Sequence, residues 1–198
     1  MKDKDTKDKQ NLKTKRVKSY FIQAAKSIII TDGIENVSVR KVADLAGYTF
    51  TTIYNYFTDL NELLQDVKGE MIQDLMIHMQ GTFPDKLYDL TDVKELNHLY
   101  MKYFIDRPNV FSFFYSYRMH PIKERPIDLP DFNTLYMDTY KGFVISGTIK
   151  ESYIPIIAKT IIYTIHGLLA LYYSDNGMTT KILYEELDKI IDYLLGGN

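Results

Sequence analysis

Apolar residues return every three or four positions through most of the chain, and no stretch sustains a two-residue alternation. That pattern predicts helices without a sheet. Residues 1–11 alternate Lys and Asp with almost no apolar content. They bury nothing that would offset ordering entropy, so a disordered tail is expected there. Val17, Tyr20, Phe21, Ala24, Ala25 and Ile28 then form the stripe of a first helix, which Thr31-Asp32-Gly33 ends. Ser38 is a good N-cap for a short second helix with Val39, Val42, Ala43 and Ala46 on its inner face, and Gly47 stops it. Thr49 is placed to cap a third helix carrying Ile53, Tyr56 and Phe57. Asp59-Leu60-Asn61-Glu62 has the form of a capping box and opens a fourth, which runs to about Gln80.

Five more helices are expected: about Asp92 to Ile105, Asn109 to Arg118, Asp131 to Ser146, Glu151 to Ser174 and Thr179 to Leu195. Pro108 separates the first two, and a loop with Pro121, Pro126 and Pro130 follows the second. The stretch Ile154–Tyr173 is apolar over a length that could span a membrane. Lys159, Thr160, Thr164 and His166 interrupt it, and no charge clusters flank it. The better reading is a helix buried on both sides, by its own domain and by a partner subunit.

With 198 residues, 45% apolar and 14% aromatic, the chain can bury a sizeable core. Ten Gly and six Pro suit a mostly helical protein, and no signal peptide is expected at its Lys/Asp-rich start. The absence of Cys excludes disulfides, Cys-ligated metals and thiol nucleophiles. The net charge of −2 hides an asymmetry: residues 1–60 hold 11 Lys/Arg against 7 Asp/Glu, and the remainder 13 against 19. A basic first third suggests an anionic partner for that part, although a Lys-rich tail can equally be just solvated.

Val39–Thr58 meets the requirements of a helix-turn-helix. Two short helices that cross steeply need a small residue at their contact, here Ala43, and a turn residue tolerant of positive φ, here Gly47. Val42, Ala46, Tyr48, Ile53 and Tyr56 would fill the space behind them. The outward residues Thr49, Phe50, Thr51, Thr52, Tyr54 and Asn55 offer hydroxyls, an amide and aromatic edges, and none is acidic. Such groups suit phosphate oxygens, base edges and thymine methyls. Lys13, Lys15, Arg16 and Lys18 lie just upstream as a basic flank. A helical turn with no DNA role would share the small-residue pattern.

The runs Ser38-Val39-Arg40-Lys41-Val42-Ala43-Asp44-Leu45-Ala46-Gly47-Tyr48-Thr49, Thr52-Ile53-Tyr54-Asn55-Tyr56-Phe57 and Asn61-Glu62-Leu63-Leu64 resemble the N-terminal domain of the TetR family of transcriptional regulators. The resemblance covers about residues 15–67, and Gly167-Leu168-Leu169 is similar to a frequent late-helix pattern of that family. It implies an all-α protein with a DNA-binding head over 12–60 and a helical effector-binding and dimerisation domain over 61–198. It further implies a cytoplasmic repressor, released from its operator by a small-molecule effector. Surplus apolar stripes on the last two helices, with Leu187 and Leu194 among them, predict a homodimer paired through those helices. An activator, or an interaction module without specific DNA readout, are the alternatives. Ser38, Arg40, Thr49, Phe50, Thr51, Thr52, Tyr54, Asn55 and Tyr56 are the expected DNA-contacting residues. The family often has Gly where this chain has Thr51, and Lys where it has Leu60. Thr51 would therefore either limit the approach of the helix or touch DNA itself, and one cationic contact is missing.

Phe104, Phe111, Phe113, Phe114, Tyr115 and Tyr117 crowd one segment. They are either plain core or the wall of an apolar ligand pocket. On the second reading Phe104, Phe111, Phe114 and Tyr115 line it, and Arg118, Tyr136, Tyr140 and His166 supply polar groups. The four His (His78, His98, His120, His166) lack metal-ligand spacing, so no metal or cofactor is expected. With no phosphate-cradling Gly loop, zinc-protease motif or nucleophile elbow, no enzyme is expected either.

Overall fold

The computed structural model describes the backbone of residues 2–80, 86–120, 132–175 and 177–196, with side chains for all of these except 2–9, 80 and 132–136. The Pro121–Pro130 loop lies outside the described residues. The fold is all-α, with no strand among the described residues. The helices are α1 (Lys2–Asp32), α2 (Val39–Ala46), α3 (Phe50–Ile53), α4 (Leu60–Gln80), α5 (Leu90–Ile105), α6 (Pro108–Phe111), α7 (Phe132–Ile145), α8 (Ile154–Tyr173) and α9 (Thr180–Leu195). They divide between two compact units, Met1–Asp74 with Asn109–Asp128, and Leu75–Pro108 with Leu129–Asn198.

In the first unit, α1, α2, α3 and the start of α4 enclose a core of Val17, Phe21, Ala25, Ile29, Val42, Ala43, Ile53, Phe57, Leu63, Leu64 and Val67. Phe21 is the centre of this core: its ring meets Tyr48, Tyr56 and Phe57 at centroid distances of 5.1, 5.9 and 6.4 Å. The unit extends past residue 60 because α1 and α4 are also tied by charge. Lys26 pairs with Glu70 at 3.7 Å and with Asp74, and Gln23 donates to Glu70.

Helix α1 begins at Lys2, so the tail expected to be disordered through residue 11 is helical instead.

In the second unit, α5, α7, α8 and α9 bury Val93, Met101, Phe104, Phe143, Ile157, Ile161, Ile165, Leu169, Leu183, Leu187, Ile191 and Leu195. Asp89 caps α5 in a reciprocal box with Asp92, one residue pair upstream of the expected start. Pro155 opens α8, where its missing N–H costs nothing, and Thr179 caps α9. The ion pair Lys94–Asp192 (2.6 Å) and a hydrogen bond between His98 and Asp188 (2.7 Å) run between α5 and α9. Helix α8 with its preceding turn is long and apolar enough to cross a membrane by length and composition alone. One of its sides is buried in this unit; the other exposes Ile156, Tyr163 and Leu171.

Candidate nucleic-acid interface

Ser38 sets the start of α2, and Gly47 builds the turn between α2 and α3. The Ser38 hydroxyl accepts from the Lys41 amide at 3.3 Å and starts α2. Gly47 sits at φ 78°, ψ 27°, the left-handed region, and the Tyr48 amide reaches back to the Ala43 carbonyl at 2.9 Å. That double closure turns the chain sharply and hands it to Thr49, the residue before α3. The Thr49 hydroxyl does not cap the backbone as its position suggests. It bonds the Thr51 and Thr52 hydroxyls at 2.9 and 2.8 Å, so three hydroxyls converge at the start of α3. Regular α-helix ends at Ile53, earlier than the apolar pattern indicates. The backbone continues through Tyr56 by tighter bonds, Asn55 to the Thr52 carbonyl and Tyr56 to the Ile53 carbonyl.

The nine expected DNA-contacting residues separate by exposure. Phe50 and Tyr54 are 47% and 53% exposed, and Arg40, Thr49, Thr51 and Asn55 are exposed with them. Arg40 lies over the Phe50 ring at 5.7 Å. Ser38 is exposed but committed to its cap, and Thr52 is half-buried within the hydroxyl cluster. Tyr56 is half-buried with its ring against Phe21 and so faces the head's own core. Of the basic flank, Lys18 is also turned inward. Its ammonium lies 4.5 Å over the Phe57 ring and 3.8 Å from the Glu62 carboxylate, which itself accepts the Thr58 amide and hydroxyl.

The aromatic segment does not form the single helix expected for Asn109–Arg118. Helix α6 passes at Phe111 into a π-helical turn, Ser112–Ser116, closed by the Tyr117 amide on the Ser112 carbonyl at 2.9 Å. Phe113 and Phe114, consecutive in this turn, are both buried. Phe111 and Phe114 are therefore core residues of the first unit, while Tyr115 and Arg118 are exposed. The segment is strapped onto the head by bonds that periodicity cannot reveal. Asn109 donates to the Ile30 and Thr31 carbonyls at the end of α1 (3.1 and 3.4 Å). Asn61 exchanges two hydrogen bonds with the His120 backbone, Gln65 donates to the same carbonyl, and the Lys68 ammonium donates to the Phe114 carbonyl at 3.1 Å. Burial holds that ammonium below its ordinary pKa.

Phe104, Tyr140 and His166 belong to the second unit; the Tyr136 side chain lies outside the described ones. Phe104 and Tyr140 are buried. His166 shares a 2.8 Å hydrogen bond with Tyr100, a partner the sequence did not single out, and the Tyr173 hydroxyl donates to the Phe104 carbonyl at 2.5 Å. Burial pulls the His166 pKa down to about 4, so the ring is neutral at pH 7. Below about pH 6.5 the unfolded chain takes up a proton here that the folded unit refuses, and stability is lost until about pH 4. Urea unfolding at pH 7 and pH 4.5 should show a smaller acid loss for His166→Gln than for the wild type, by on the order of 1–2 kcal/mol once solvent screening is allowed for. Equal losses in both would mean that the imidazole does not titrate differently on folding.

A glycine-closed helix-turn-helix, in which the exposed residues of Thr49–Asn55 offer hydroxyls, an amide and aromatic rings and no acid, fits a DNA-binding regulator. Residues 21–67 match the sequence model of the bacterial regulatory proteins of the tetR family. Over that segment, which holds the helix-turn-helix, the chain is similar to that family. Solved structures agree on the fold. A protein described as a tetR-family transcription regulator from Shewanella sp. PV-4 superposes with a TM-score of 0.64 at 16% identity, over 88% of this chain and 95% of its own. The superantigen PfiT gives 0.64 at 14% identity, over 92% and 97%. RolR, solved with resorcinol, gives 0.57 at 15% identity, over 93% and 97%. Comparison with curated proteins returns no match.

Proposed function

We propose that the protein is a cytoplasmic repressor that binds a near-palindromic operator as a homodimer and leaves it when a small molecule occupies the second unit. The observation that carries the reading is the exposed surface of α3 and the turn after it, Phe50, Thr51, Tyr54 and Asn55, which follows a left-handed Gly47 turn. Arg40 and Thr49 complete the contact set, with Ser38, Thr52 and Tyr56 supporting it from behind.

Dimerisation through α8 and α9 is supported by apolar surface that the second unit does not itself bury. Ile156, Tyr163 and Leu171 on α8 and Ile182 and Tyr193 on α9 are exposed. Gly167 lies among them, with nothing within 4 Å of where its Cβ would stand. A mid-helix glycine costs about 1 kcal/mol relative to Ala, and close approach of a second helix would explain its presence. Two heads held at a fixed spacing are what a palindromic site demands. The effector reading rests on Phe104, Tyr140, His166 and Tyr100 in the second unit, and on RolR, a protein of this fold that was solved with an aromatic ligand. PfiT favours a second reading, an interaction protein, because this same fold there belongs to a superantigen.

The test is binding to the DNA upstream of the protein's own gene. Asn55→Ala should weaken operator binding by about 1–3 kcal/mol with an unchanged melting temperature, because the Asn55 side chain is exposed and the substitution keeps its backbone bond. Wild-type affinity in folded, dimeric Tyr54→Ala/Asn55→Ala would defeat the assignment.

A further inference from the structure

Tyr20 sits on the apolar stripe of the first helix, yet it is 41% exposed. Its ring stacks on Tyr48, with centroids 6.4 Å apart and planes inclined by 29°. Tyr48 is the residue immediately before Thr49, where the recognition helix opens. One turn upstream of Tyr20, the Arg16 Nε donates to the Tyr20 hydroxyl at 2.8 Å, and the guanidinium carbon lies 5.9 Å from the ring centroid. Arg16, Tyr20 and Tyr48 thus form a column on the surface of the head that leads to the first turn of α3.

The column leaves the two terminal nitrogens of Arg16 unengaged, since Nε alone faces Tyr20. Among the described residues Arg16 makes no ion pair. Lys18, two residues on, is the opposite case: its charge is met by Glu62 and its stem covers Phe57. Lys13 and Lys15 are exposed point charges. A guanidinium fixed at Nε presents a planar fork to an anion and loses less conformational freedom on binding than a free lysine.

We propose that Arg16 is the residue of the basic flank that grips a DNA backbone phosphate, and that Tyr20 and Tyr48 position it beside the recognition helix. This rests on the DNA-binding reading above. It assigns the flank's contact to one residue and gives the exposed tyrosine a purpose. The contact is independent of base sequence, so it anchors the head to any duplex and sets the register in which α3 meets the bases.

A random-sequence duplex is the probe, titrated across a range of KCl concentrations against the full-length protein. Arg16→Gln should lower the slope of log K against log salt by about one for each head engaged, with an unchanged melting temperature. Lys18→Gln should leave that slope as in the wild type and lower the melting temperature. Tyr20→Phe keeps the stacking and removes the acceptor; it should weaken binding several-fold in the wild-type background and have no effect in Arg16→Gln. An unchanged slope in Arg16→Gln, an equal drop in Lys18→Gln, or a Tyr20→Phe loss that persists without Arg16 would each overturn the proposal while leaving DNA binding intact. Absence of salt-dependent duplex binding by the wild type would remove the DNA-binding reading itself.

Discussion

Tyr163→Glu and Leu171→Glu are expected to yield folded chains that sediment as monomers and bind the operator at least about a hundredfold more weakly. Both positions are exposed on α8, at 66% and 45%, so a carboxylate there stays solvated within its own subunit and leaves the unit's core untouched. Across a two-fold axis the same carboxylate would enter an apolar contact and meet its own copy, which costs several kcal/mol. Once the heads part, the second one no longer benefits from the effective concentration set by the first, a factor of about 10²–10⁴. Analytical ultracentrifugation with parallel operator titration reads both effects. Variants that remain dimeric with wild-type affinity would place the interface elsewhere.

The second large effect is expected at Leu187, and it is one of folding. Leu187 is fully buried, on the same side of α9 as Leu183, Ile191 and Leu195. Leu187→Ala should cost about 2–5 kcal/mol in urea unfolding, the lost transfer energy plus the cavity left behind. Leu187→Glu should leave the second unit unfolded and not give a clean monomer, because a buried carboxylate finds no partner among those residues. A soluble, helical Leu187→Glu monomer would show that this side of α9 is an interface after all.

The contrast between these two sites shows where sequence periodicity stops. The apolar surplus of the last two helices is plain in the sequence, and so is the need to cover two sides. The side that faces the chain's own core is not. Leu187 and Tyr163 both lie on apolar stripes, and only packing distinguishes them. The helix-turn-helix was legible for the opposite reason: its determinants are local. Ser38, Ala43 and Gly47 act on the backbone within a few residues, so position in the sequence is position in the fold. Tyr56 was assigned to the DNA face as well as to the interior, and the Phe21 ring settles its direction. The π-turn at Ser112–Ser116 was illegible because apolar spacing over so few residues does not distinguish a π-turn from an α-helix. The Asn61, Gln65, Lys68 and Asn109 bonds join residues 46 to 79 positions apart, and no local pattern encodes them.

Those last bonds bear on how the chain reaches its structure. The end of α1 has carbonyls that its own helix cannot satisfy, and Asn109 satisfies two of them. The first unit is thus complete only after the whole of Leu75–Pro108 has been looped out and the chain has returned. Closing such a loop is an entropic cost that local helix formation does not repay, and it raises contact order well above that of a simple three-helix head. A nascent chain that has emerged only as far as Asp74 holds a helix-turn-helix with an open α1 terminus and an unsatisfied Asn61, Gln65 and Lys68. Completion of the first unit would then come late in synthesis, when residue 120 has cleared the ribosome.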